Sequence, residues 1–247
     1  RAVGVEWRTK GAPFSAQAKR EIVLSSGAIH SPHILMLSGV GPAEHLREHG
    51  IALIHDLPGV GQNYRDHVAV AVKHACTKPV SLFNFFNPLI AAQAVVEFAV
   101  LKTGQLAAPP MEVVAYLRTM PGSEEPDIKI HLAMALYENL GKKIIAQHGF
   151  FAHMDILRPE SVGEIRLASA DPFTSPLIDP NILATDYDMA VGRSAVRTAR
   201  NIFAQAAFDD LRGEELAPGP AIESDAQIDA YLRATANSDI HTTGTCR

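Results

Sequence analysis

Period-two alternation of apolar and other residues marks the middle of the chain. HVAVAVKHA (67–75) and DIKIHLAMAL (127–136) place aliphatic residues at every second position, the pattern of half-buried strands in an antiparallel sheet. HGFFAHMDILRP (148–159) and GEIRLAS (163–169) read as two further strands. Between the first two strands, PLIAAQAVVEFAVL (88–101) predicts a helix that ends near Gly104.

The first sixty or so residues read as strand, helix, helix, strand. RAVGVEW (1–7) is a strand, and REIVLSSGA (20–28) carries a β-branched run ending in small residues, as a buried strand does before a tight turn. Ser31 is expected as a helix N-cap with Pro32 at the first helical position and Gly39 as the stop. PAEHLREHG (42–50) follows as a second short helix ended by Gly50. Near the other end, residues 186–208 put Val196, Ala199, Phe203 and Ala206 on one face, with Arg193, Arg197 and Arg200 on a solvated one. In SDAQIDAYLRATA (224–236), Ser224 and Gln227 have capping-box spacing, so another helix is expected. The fold class is therefore α/β at the start and α+β overall, with a boundary near His67.

Composition narrows the function. The net charge is −5 without Lys/Arg clusters, which argues against nucleic acid or anionic lipid as an obligatory partner. No apolar run reaches the roughly 20 residues of a membrane span. Two cysteines, Cys76 and Cys246, make neither a disulfide framework nor a Cys-rich zinc site, and a reducing cytoplasm is the expected setting. The chain opens at Arg1 inside a strand pattern and stops at GTCR after a turn, so it reads as part of a longer protein.

The residues themselves leave several chemical readings open. The glycines of GAIHSPHILMLSGVG (27–41) suit either close helix-on-strand packing or the approach of backbone to a bulky ligand, and spacing alone leaves the two level. Asn63, Asp66 and His67 in GQNYRDH read equally as a polar turn that caps neighbouring backbone. His45 and His49 are four apart on a helix without an acid or third ligand, the pattern of a solvated face rather than a metal site. His30 and His33 are assigned no role. Cys246 lies near His241, but a thiol nucleophile needs a base and an orienting group that meet in space; a small buried residue is expected there.

GAIHSPHILMLSGVG matches at every fixed position the second sequence motif of the glucose-methanol-choline (GMC) flavin-dependent alcohol oxidoreductases. RAVGVEW, LPGVGQNYRDH, LRPESVGEIRLASADP with PLIDPNIL, and HTTGTCR follow in that family's order. The chain thus resembles the family along essentially its whole length, and the choline-dehydrogenase-like bacterial members most. It departs at Tyr64, where many members have Leu, at Val162 in place of Arg, and at Thr242 in place of Pro after the histidine.

The resemblance implies an FAD cofactor, a small-molecule alcohol substrate, and oxygen or a quinone-type molecule as electron acceptor. It implies His241 as the catalytic base. An imidazole titrating near 6.5 can take the O–H proton of an alcohol at neutral pH. Gly27, Ala28, Ser31 and Pro32, with Asn63, Asp66 and His67, are the implied cofactor-binding residues, and Glu112 lies at a substrate-side position. The implied domains are residues 1–67 as the end part of a Rossmann-like FAD-binding domain, 68–237 as an antiparallel substrate domain with helices, and 238–247 returning to the FAD domain. The expected location is the bacterial cytoplasm or a membrane-peripheral site. The family's phosphate-binding glycine loop and second catalytic residue have no counterpart in these residues, so this stretch alone is expected neither to retain flavin nor to oxidise alcohols. A non-redox FAD-containing lyase and an inactive remnant stay open as rival readings.

Overall fold

The computed structural model describes residues 1–109, 111, 113–138 and 141–247; Glu112 lies outside them. Two compact units emerge. The first is built from residues 1–63, 164–178 and 244–247, and the second from residues 64–163 and 179–243. The chain changes unit at Asn63/Tyr64 rather than at His67, and the segment 164–178, expected within a substrate domain, packs with the N-terminal residues.

The first unit opens with a hairpin of β1 (Gly4–Thr9) and β2 (Ala12–Gln17). Lys10 and Gly11 both take positive φ at its turn, the backbone that matches the twist of two paired strands. REIVLSSGA is a correction: it has no regular structure before α1 and Val23 is exposed, because no strand among the described residues pairs with its β-branched run. Helix α1 (Gly27–Leu37) starts five residues earlier than expected. Ser26 is its N-cap, Pro32 lies inside it, and Ser31 Oγ instead accepts from the Ser26 N–H at 3.1 Å. Gly39, at φ 83°, ends that helix, and α2 (Ala43–Glu48) ends at Gly50, at φ 70°. The short parallel pair β3 (Val40–Gly41) and β4 (His55–Asp56) closes this region. Farther along, β11 (Glu164–Arg166) pairs with β12 (Leu177–Asp179), and the Ile165 N–H donates to Gly61 O.

The second unit is a six-stranded antiparallel sheet. Along its main path, β13 (Arg212–Ala217), β5 (Val68–Cys76), β10 (Gly149–Ile156), β7 (Ile128–Ala133) and β6 (Val113–Leu117) lie side by side, and β14 (Asn237–Ser238) also pairs with β5. A separate small pair is β8 (Tyr137–Glu138) with β9 (Lys143–Ile144). Alternation gives each long strand two unlike faces. Val68, Val70 and Val72 of β5, Ile128 and Ile130 of β7, and Ala152, Met154 and Ile156 of β10 join α4 (Asp186–Phe203) and α5 (Asp225–Thr235) in one core. The other face carries Lys129 and His131 opposite Asp155 and His153 in register.

Both C-terminal helices are capped as their sequences require. Thr185 Oγ1 accepts from Asp188 N, and Ser224 with Gln227 forms a capping box. Ala206, expected on the apolar face, lies beyond the end of α4 and is exposed. Of the α4 arginines only Arg197, paired with Asp225, stays exposed as expected: Arg193 and Arg200 are partly buried, Arg193 pairing with Asp229 at 2.8 Å and Arg200 gripping Glu215 with two nitrogens. α3 (Pro88–Leu101) forms as predicted, with Asn87 capping it and Lys102 closing it in the left-handed region, but none of its residues is buried.

Candidate functional site

Within the first unit, the start of α1 presents an open backbone. Gly27 has φ 75°, which favours glycine, and a Cβ built there would meet nothing within 4 Å. No side chain caps this helix end, so its first N–H groups and the positive end of the helix dipole suit acceptor atoms of a ligand. Ala28 O accepts from Thr245 Oγ1, which brings the chain's last residues onto this motif. Asn63, at φ 61°, donates from Nδ2 to Gly244 O. Pro32 is buried inside the helix rather than placed at its first position.

Within the second unit, Asp66 organises the segment that carries His241. Its Oδ1 accepts from the His241 N–H at 2.7 Å, while Oδ2 accepts from Tyr64 Oη at 3.0 Å, from Thr242 Oγ1 at 3.2 Å and from Ser238 Oγ. Thr242 Oγ1 also lies 3.1 Å from Tyr64 Oη. Two of the three departures from the family pattern therefore meet: both hydroxyls converge on the carboxylate that holds the backbone of His241. Asp66 does cap a backbone N–H, but that of distant His241 rather than of a neighbouring residue in its own turn.

His241 extends from this anchor with its side chain 56% exposed, and its Nε2 lies 3.1 Å from Asp239 Oδ2. The ring of His67 stands 5.2 Å away, centroid to centroid, and His67 Nδ1 is buried without a hydrogen-bond partner among the described residues. Burial, and then the neighbouring His241, lower the His67 pKa below the usual histidine value. Asp239 turns its other oxygen to His153 Nε2 at 3.1 Å; that nitrogen is 3.0 Å from Asp155 Oδ1, and Asp155 Oδ2 meets Lys129 Nζ at 2.7 Å.

Burial opposes charge on His153, but contacts with Asp155 and Asp239 win and lift its pKa to about 9. Burial likewise opposes charge on Asp155, yet His153 and Lys129 pull its pKa down to about 2. The signs fix a pH dependence. His153 contributes stability in full below its usual 6.5, and that contribution is lost as pH rises through about 9. Asp155 contributes above 3.8 and its contribution is lost as pH falls toward about 2. Urea midpoints should decline on the alkaline side, and His153→Gln should flatten that decline; an equal decline in both proteins would refute it.

Ile240, next to the histidine, has φ 63° and is 72% exposed. A β-branched residue in the left-handed region is strained. Ile240→Asn is expected to raise stability by about 1 kcal/mol, read as an upward shift in melting temperature; a downward shift would show that the side chain itself is needed.

Two ligand-capable groups share Asp239: His67 with Asp239 and His241, and His153 with Asp155 and Asp239, each set with ligand atoms within 4.8 Å of one another. A polar cavity of about 390 Å³ opens beside His153 and is also lined by Lys73, Tyr137, Tyr231 and Asn237. An apolar one of about 440 Å³ is lined by Leu82, Phe85, Leu106, Phe151 and Phe208, among others.

The implied site residues thus fall in two places. Gly27, Ala28, Ser31, Pro32 and Asn63 belong to the first unit, and Asp66, His67 and His241 to the second, where the structure brings the last three together. His153, Asp155, Asp239 and Lys129 went unread, although the alternation of β7 and β10 already put three of them on one face. Two further readings are corrected. Cys246 is exposed rather than buried. His45 is buried, its Nε2 accepting from Leu167 N at 2.9 Å, which makes it a packing histidine rather than a solvated one.

The chain is similar to known proteins along its whole length. Residues 1–69 match the N-terminal and residues 159–247 the C-terminal family model of the GMC oxidoreductases, between them more than half of the chain. Over its full length the chain is 42% identical to the oxygen-dependent choline dehydrogenase of Brucella ovis, of which it covers 45%, and 42% identical to the mitochondrial choline dehydrogenase of Mus musculus, of which it covers 41%. It spans less than half the length of these relatives. Among solved structures, formate oxidase superposes with a TM-score of 0.87 at 26% identity over 98% of this chain and 47% of that one. Pyridoxine 4-oxidase from Mesorbium loti superposes with 0.80 at 25% identity, over 100% of this chain and 44% of the other. A variant formate oxidase from Aspergillus oryzae, described for its FAD modification, superposes with 0.88 at 25% identity over 99% of this chain and 48% of that one. With the two family models matched in order and the fold shared from end to end, the chain belongs to the GMC oxidoreductase family.

Proposed function

We propose that this chain is part of an FAD-dependent oxidoreductase that converts a primary alcohol to an aldehyde, with His241 as the base. The observation that carries the reading is the placement of His241: an imidazole tethered through its backbone to Asp66, with a side chain that is more than half exposed and has a carboxylate at one nitrogen. Oxidation of an alcohol removes a hydride from carbon and a proton from oxygen. FAD, when bound, supplies the hydride acceptor.

The chain's own residues handle the proton and the orientation. His241 accepts the O–H proton at the ring nitrogen not facing Asp239, here Nδ1. Asp66, with Tyr64, Ser238 and Thr242 on its other oxygen, fixes the backbone from which that imidazole projects, which preserves alignment with the alcohol. His67, with burial disfavouring its cationic form, keeps a second positive charge away from the base. Gly27, Ala28 and Ser31 would hold the cofactor at the start of α1, where backbone is open and uncapped by any side chain; Asn63 would brace the returning chain end. Asp66 serves the histidine instead of the cofactor. Choline is the natural first substrate to test, given the relatives, with oxygen and a quinone-type compound as acceptors.

The test is anaerobic mixing of the intact flavin-loaded protein with a panel of primary alcohols. Bleaching of the flavin absorbance with release of the aldehyde supports the reading; no bleaching with any alcohol overturns it.

A further inference from the structure

We infer that Asp239 is a positioning residue for His241, and that His153, Asp155 and Lys129 exist on the sheet face to hold that carboxylate in place. The inference rests on the role of His241 proposed above.

Asp239 stands two residues before the histidine and bridges two imidazoles, its Oδ2 3.1 Å from His241 Nε2 and its Oδ1 3.1 Å from His153 Nε2. Its side chain is only 14% exposed. An isolated carboxylate so far out of water would be costly, and the cluster compensates it. Lys129 and His153 bring two positive charges against Asp155 and Asp239, so the group is balanced before any proton arrives. Backbone geometry adds to the hold, because Asp239 N–H donates to His67 O at 3.0 Å. The cations sit on strands whose register is fixed, with Lys129 opposite Asp155 and His153 opposite His131. The carboxylate is therefore placed by a sheet, and the histidine by the carboxylate.

A carboxylate at Nε2 does two things for a base. It selects the tautomer with the proton on Nε2, which leaves the Nδ1 lone pair for the alcohol proton, and it stabilises the imidazolium that proton transfer creates. No electron transfer is assigned to Asp239 and no proton leaves it.

In the intact flavin-loaded protein, Asp239→Ala should lower kcat about 10- to 100-fold, leave KM within about twofold, and leave flavin content per chain unchanged. Asp239→Glu should recover part of kcat. His153→Gln, which removes the counter-charge without touching His241, should give a smaller loss in the same direction. Asp239→Ala with kcat unchanged overturns the inference, as does a kcat loss matched by lost flavin or lost fold with no recovery in the Glu variant. His241→Ala in the same series separates the two failures: if that variant keeps full kcat, the role of His241 itself is wrong.

Discussion

Replacing His241 with alanine in the intact protein should cut kcat for a primary alcohol by about 10²- to 10⁴-fold, with much less change in KM. In the proposed reaction the ring takes a proton in the transition state and contributes little to holding the ground-state alcohol, so the loss belongs in kcat. The side chain is more than half exposed and fills no core space, so its truncation leaves no cavity. The backbone N–H to Asp66 survives the change, and the segment keeps its path. Stopped-flow flavin reduction under anaerobic conditions reads the chemical step directly. A rate within about threefold of the unchanged protein would remove His241 from the mechanism.

Asp188→Ala should cause the largest loss of stability away from the site. Asp188 is 0% exposed, and its carboxylate accepts from Glu160 N at 2.8 Å, from Ser161 N at 2.9 Å and from Ser161 Oγ. Ser161 Oγ in turn accepts from Ala184 N at 2.8 Å. The first turn of α4 thereby ties down the turn at 159–163 that carries the Ser-Val-Gly departure. Truncation strands two backbone donors and a hydroxyl that the carboxylate now satisfies. The expected cost is about 3 to 5 kcal/mol, or a fall of roughly 10 °C in melting temperature. A fall of less than about 2 °C would mean that water replaces the carboxylate.

Much of the fold was legible because local periodicity and burial agree. The valines of β5 alternate in sequence and all lie in the core, and the capping box at Ser224 formed as spaced. α4 shows both the strength and the reach of such reading. Its apolar face packs as predicted through Phe203, whereas its arginines, polar by pattern, found carboxylates on α5 and β13. Periodicity states which side faces away from the core but not what waits there. REIVLSSGA failed for the complementary reason: β-branched residues favour a strand only where another strand offers its ladder, and none among the described residues does.

The site divides in the same manner. By itself the sequence determined the family, through an ordered set of motifs, and singled out His241, because HTTGTCR carries its meaning in contiguous residues. The left-handed backbone of Gly27, by contrast, came from the structure. Tertiary structure alone decided what Asp66 is for, since its partners lie at Ser238, His241 and Thr242, far along the chain. It also decided that Tyr64 and Thr242 belong to one network, and that Lys129, His153, Asp155 and Asp239 form one charged group. Hydrogen bonds and ion pairs act over a few ångströms in space whatever the separation in sequence. Strand pairing, set by the register of β5, β7 and β10, brings those distances within reach.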